Sequence, residues 1–256
     1  MMDVGVIRDL AGRHQTTTDN IVREYFQHLF LSHLYRQKES EHWLFKGGTA
    51  LRIIWRSPRF SEDLDFTGVR TSVRSVESLL QKTIRSIEGE GLQVTVEEAK
   101  PTSGGYLAIL QFGGGAYRGA IQLQISFRPA GQARGAMALI SSEMVTPFTL
   151  MHLEETSLIQ EKVQALLTRA KPRDFYDLYF ILRSRLAFAE VFQHEQALKG
   201  RILEVVVNAR LDAKGELKRF LPVNQHGLLK NFQSTLQTEV ERAFPSSRGL
   251  QKGSKR

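Results

Sequence analysis

Between Asn20 and Gln37 the apolar positions Ile21, Val22, Tyr25, Phe26, Leu29, Phe30 and Leu34 recur at helical spacing. Thr18 or Asp19 stands where a helix N-cap is expected. His42 to Phe45 reads as a short strand running into Gly47 and Gly48, and Thr49 to Trp55 as a helix. Leu64-Asp65-Phe66 reads as a strand ending at Gly68, followed by a helix over Val73–Glu88 with Val76, Leu79, Leu80, Ile84 and Ile87 on one face. The period then changes from helical to alternating. Leu92–Glu97, Tyr106–Phe112 and Ala120–Phe127 are strand-like, separated by Ser103-Gly104-Gly105 and by the run Gly113 to Gly115, a hairpin turn rather than a phosphate loop. In the last of these strands Ile121, Leu123, Ile125 and Phe127 share one face, and Gln122, Gln124, Ser126 and Arg128 the other.

After Pro147 helical patterns dominate, over Glu154–Thr168, Asp174–Leu186, Phe188–Ala209 and Leu228–Phe244. The change divides the chain into an α/β domain over 1–147, a helical domain over 148–247 and a basic tail over 248–256 expected to be disordered. The overall class is α+β.

Two features of the pattern carry chemistry. The glycines after the first short strand let backbone N–H groups approach phosphate oxygens. Asp63 and Asp65, flanked by Leu64 and Phe66, fall on one face of a strand, where two hard oxygen ligands suit Mg²⁺. Lys162 lies on the apolar face of its helix with Leu158, Ile159, Val163 and Leu166. There it either extends to the surface along its own stem or reaches inward to a carboxylate or phosphate. In Lys171-Pro172-Arg173-Asp174-Phe175-Tyr176-Asp177, Asp174 is placed to cap a helix. Asp177 is a poor mid-helix residue unless it has a partner.

Composition narrows the classes. The 256 residues contain no cysteine, which excludes disulfides and thiolate metal sites. The net charge of +8 favours a polyanionic partner. Neither an apolar run of membrane-spanning length nor a signal-peptide core is present, which points to the cytoplasm. The seven histidines, His194 among them, show no metal-ligand spacing and are read as structural or surface. No nucleophile elbow and no P-loop occurs.

Lys46-Gly47-Gly48-Thr49-Ala50-Leu51, Arg59 to Phe66, Glu161-Lys162 with Ala165 to Leu167 and Arg169 to Lys171, and Arg173 to Leu178 together resemble the AbiEii/AbiGii nucleotidyltransferase toxin family, which includes the mycobacterial MenT toxins. The likeness spans most of positions 20 to 185 and ends near residue 190. It implies a polymerase-β-like nucleotidyltransferase core with a mixed sheet and flanking helices, followed by a helical C-terminal portion. It further implies an NTP-dependent enzyme of a toxin–antitoxin or abortive-infection (phage-defence) system, using Mg²⁺, acting on the 3′ end of tRNA and restrained by a cognate antitoxin. Carried across, Asp63 and Asp65 hold the metal, and Lys162 with Asp174 or Asp177 completes the catalytic set. Lys46, Gly47, Gly48, Thr49, Arg59 and Ser61 belong to the nucleotide site. One departure stands out: where such enzymes commonly carry a third carboxylate on a later strand, this chain has Gln122 and Gln124. Nucleotidyl transfer to a protein or small molecule, or a non-catalytic nucleotide- or RNA-binding module, are the alternative readings.

Overall fold

The structure, a computed structural model, describes residues 2–114, 117–192 and 195–244; Gly115, His194 and the basic tail lie outside them. Helices α1 (Val4–Arg13) and α2 (Thr18–Leu34) lead into strand β1 (Trp43–Lys46), helix α3 (Gly47–Ile53), strand β2 (Asp63–Val69) and helix α4 (Val73–Glu88). Five strands follow: β3 (Gln93–Thr102), β4 (Gly105–Gly114), β5 (Tyr117–Arg128), β6 (Gly135–Ile140) and β7 (Phe148–Leu153). The remaining α-helices are α5 (Glu155–Arg169), α6 (Pro172–Arg183), α7 (Phe188–Phe192), α8 (Gln196–Asn208), α9 (Ala213–Leu217) and α10 (Phe232–Ala243). The strands form one sheet in the order β3-β4-β5-β2-β1-β7-β6. It is mixed, because β2 runs parallel to β5 and β1 parallel to β7, while the other pairs are antiparallel.

Alternation decides which face is buried. On β5, Ile121, Leu123 and Ile125 are buried, while Gln122 is half-buried and Gln124 exposed. Helix α2 lies against the buried face of that strand, where Phe26 stacks on Phe112 of β4 at 4.9 Å and a Cβ at Gly119 would press on the Phe26 ring at 3.0 Å. The opposite face carries Asp63 and Asp65, in register with Gln122 and Gln124 on β5.

Several boundaries differ from the sequence pattern, each for a local reason. The cap of α2 is Thr17, whose hydroxyl accepts the Asn20 N–H, rather than Thr18 or Asp19. The helix expected over Phe188–Ala209 is instead two helices, α7 ending at Phe192 and α8 starting at Gln196. The segment expected as helix from Leu228 begins as a 3₁₀ turn through Lys230, and α10 starts only at Phe232. Helix α1 and strands β6 and β7 are additions to the elements that the hydrophobic pattern predicts. In β6, Met137 and Leu139 are 70% and 71% exposed, so an apolar residue points to each side and the alternation disappears. The division expected near Pro147 falls between β6 and β7, which pair with each other in the sheet, and the helices begin at Glu155.

Candidate active site

The strand β1 hands the chain to α3 through Gly47, whose φ of +83° disfavours any side chain. A Cβ there would lie 2.2 Å from an Asp65 carboxylate oxygen, so the turn and the carboxylate abut. At Gly48 a Cβ would meet the Arg59 guanidinium at 2.4 Å and the Ser61 hydroxyl at 3.1 Å. The two glycines thus form the floor on which Asp65, Arg59 and Ser61 converge.

The loop between α3 and β2 is pinned by buried polar side chains from elsewhere. The Gln27 amide donates to the carbonyls of Ser61 (2.9 Å) and Glu62 (3.1 Å). Arg52 donates to Ser57 O and is held by Glu24 through bonds of 2.8 and 3.0 Å. The Thr49 hydroxyl donates to Asp63 O, so it serves the protein backbone. These contacts set where β2 begins, and period two then places both carboxylates on the open face.

Asp63 and Asp65 both have raised pKa values. For Asp63 the first cause is burial and the second the neighbouring Asp65. For Asp65 burial prevails over the opposing fields of Lys162, Lys46, Arg173 and Arg169. The nearest countercharge to Asp63 is Arg173, 3.9 Å away. A paired site with under-compensated negative charge and hard oxygen donors fits a divalent cation. Among the described residues no three His, Cys, Asp or Glu side chains cluster as metal ligands, so neither Asp174, Asp177 nor a histidine joins the pair.

The other sequence-derived residues are brought close but are engaged with one another. Lys162, 8% exposed, reaches inward and donates to Asp177 at 2.7 Å; the surface-extending alternative is excluded. Arg59 donates twice to the other oxygen of Asp177, at 3.0 and 2.7 Å. Burial would raise the Asp177 pKa, but Arg59 and Lys162 outweigh it and hold it below the usual carboxylate range. Asp174 sits three positions into α6 rather than at its cap. From there it accepts the Lys171 N–H at 3.1 Å and a two-point contact from Arg169 at 2.9 and 2.7 Å. Lys46 is paired with Glu161 at 2.9 Å.

A glycine turn abutting an Asp-x-Asp strand in a mixed sheet, with a buried lysine behind it, defines a nucleotidyl-transfer enzyme. Comparisons with known proteins agree. Residues 29–244 match the family described as nucleotidyl transferase AbiEii toxin, type IV toxin–antitoxin system, a span that includes the helices beyond residue 190. The chain belongs to the AbiEii family of nucleotidyltransferase toxins. Its fold is similar to that of JHP933 from Helicobacter pylori (TM-score 0.62, 19% identity, covering 89% of this chain and 93% of that one). It is also similar to MenT4, a nucleotidyltransferase toxin from Mycobacterium tuberculosis H37Rv (TM-score 0.71, 16% identity, 95% and 90% covered). No match was found among curated protein sequences. Among the described residues no helix is long and apolar enough to cross a membrane.

Proposed function

We propose that this enzyme transfers a nucleoside monophosphate from an NTP to the 3′-hydroxyl of a tRNA, the α–β phosphoanhydride breaking to release pyrophosphate and the hydroxyl proton passing to solvent, with Mg²⁺ held by Asp63 and Asp65, and that a cognate antitoxin restrains it. The observation that carries the reading is the abutment of Gly47 on Asp65. It puts a backbone able to approach phosphate against a carboxylate pair whose charge is under-compensated. When bound, Mg²⁺ supplies charge neutralisation at the reacting phosphate. The chain's own residues do the rest. Gly47 and Gly48 admit the phosphates, Ser61 offers a hydroxyl beside them, and the Arg59–Asp177–Lys162 triad fixes the floor from below.

The acceptor hydroxyl approaches over β5, where Gln122 and Gln124 lie in register with the two aspartates. An amide can orient a hydroxyl by hydrogen bonding but cannot take its proton, so these glutamines position rather than act as base. The net charge of +8 suits an RNA acceptor. Incubation with labelled NTPs, total RNA, cell protein and Mg²⁺ tests the proposal. Label appears in tRNA and is lost in Asp63→Ala. Label in protein or a small product refutes the acceptor, and RNA labelling that survives Asp63→Ala refutes the site.

A further inference from the structure

The cations that the motifs offer for phosphate are already engaged. Arg59 and Lys162 are both bound to Asp177, Arg169 to Asp174, and Lys46 to Glu161. Beside Ser61, however, a small pocket opens whose basic residues are less committed. Lys171 has no carboxylate within ion-pair distance among the described residues, and Arg219 approaches Glu62 only at 3.7 Å. Arg173 comes no nearer than 3.9 Å to Asp63, and its Nε is buried with no hydrogen-bond partner.

We infer that the NTP polyphosphate is held by Lys171, Arg173 and Arg219 in this pocket, and that the distal segment Lys218–Phe220 is therefore part of the nucleotide site. The inference rests on Asp63 marking the reacting end of the nucleotide. The pocket volume of 160 Å³ is well below the roughly 300–1,000 Å³ of a site that encloses a whole small molecule, which suits a phosphate tail rather than a nucleoside. Arg59 apart, its three cations, Lys171, Arg173 and Arg219, exceed its two lining carboxylates, Glu62 and Glu216, by one charge.

The segment is built into place. Phe220 O accepts the Phe60 N–H at 2.8 Å, one residue from Ser61, and Arg219 O accepts the buried Asn20 amide at 2.8 Å. The Arg219 guanidinium lies over the Phe220 ring, 4.4 Å from its centre, which limits the directions in which it can point. Two tertiary hydrogen bonds to consecutive carbonyls fix a backbone whose side chain is 69% exposed toward the pocket mouth. A fixed backbone carrying an exposed arginine beside a catalytic loop is what anion capture needs.

Binding of inorganic tripolyphosphate, measured calorimetrically with neither metal nor acceptor present, tests this on the full-length protein. Arg219→Ala and Lys171→Ala are each expected to weaken it about tenfold, the size of one lost charge-assisted hydrogen bond. Lys82→Ala, a distant exposed cation, leaves it unchanged, and thermal unfolding of Arg219→Ala matches the wild type. In the labelling assay Arg219→Ala raises KM for the NTP more than it lowers kcat. Absence of tripolyphosphate binding by the wild type, or equal binding by Arg219→Ala, overturns the inference even if tRNA is labelled. Arg219-dependent binding without RNA labelling sustains it while refuting the acceptor.

Discussion

Asp177→Asn is the substitution whose cost the structure specifies most fully. The carboxylate accepts two bonds from Arg59 and one from Lys162, and all three side chains are at least nine-tenths buried. Asparagine keeps the shape and one acceptor, but it turns an NH₂ group toward Lys162 or Arg59 and leaves two buried cations with no anion. Breaking a buried ion pair by removing one partner costs about 3–5 kcal/mol. Against a total stability of about 5–15 kcal/mol this is a large fraction. In a urea titration, with a slope of about 3 kcal/mol/M, the midpoint falls by about 1–1.7 M. Lys162→Met in the Asp177→Asn background removes one stranded charge and recovers roughly half of the loss, so the double-mutant cycle shows coupling of about 1.5 kcal/mol or more. Acid has the same effect as the substitution. Because the folded pKa is depressed, the contribution is complete above the ordinary carboxylate range and is lost as pH falls through the lower folded value. Activity falls with stability, since Arg59 supports the floor at Gly48. A midpoint within about 0.2 M of wild type, or no recovery from Lys162→Met, would refute the triad as the organiser of this site.

Asp63→Asn has the opposite profile. It removes a like charge beside Asp65, so stability stays level or rises by up to about 1 kcal/mol in the same titration while nucleotide transfer is abolished; a clear loss of stability would make Asp63 a structural residue. Gly47→Ala places a methyl 2.2 Å from the Asp65 oxygen at a φ of +83°, and should weaken Mn²⁺ binding, followed by electron paramagnetic resonance, at least about tenfold with circular dichroism unchanged. His28 is buried, and burial first of all pushes its pKa from 6.5 down to about 4. The unfolded chain takes up a proton below pH 6.5 that the native state refuses, so stability drains away by about 3 kcal/mol between pH 6.5 and 4. His28→Gln should flatten that part of the stability–pH curve, and an unaltered curve would place the acid sensitivity elsewhere.

The parts of the site legible in the sequence are those in which residue type and period agree. Asp63 and Asp65 alternate with Leu64 and Phe66, and Gln122 and Gln124 alternate with Leu123 and Ile125, so strand and face could be assigned before any pairing was known. That Gln122 stands beside Asp63 and Gln124 beside Asp65 needed the sheet. The engagement of Lys162 with Asp177 also needed tertiary structure, because the two are fifteen positions apart and lie on different helices, α5 and α6. Periodicity placed Lys162 on the buried face but could not say what it meets there.

Helix α2 shows what an apolar template overlooks. Asn20, Glu24 and Gln27 follow one another at four- and three-residue steps and are all buried. Asn20 holds Arg219 O, Glu24 holds Arg52, and Gln27 holds the carbonyls of Ser61 and Glu62. This polar stripe has the same helical period as the core stripe, and it was masked because the helix is buried on nearly every side. An unpaired amide in such a place costs about 1–3 kcal/mol, so each of these residues is tolerable only with its partner in position. The loop that carries Ser61 and the segment that carries Arg219 are therefore attached to one rigid helix. The two walls of the nucleotide pocket, 158 residues apart in sequence, keep their separation because α2 holds both.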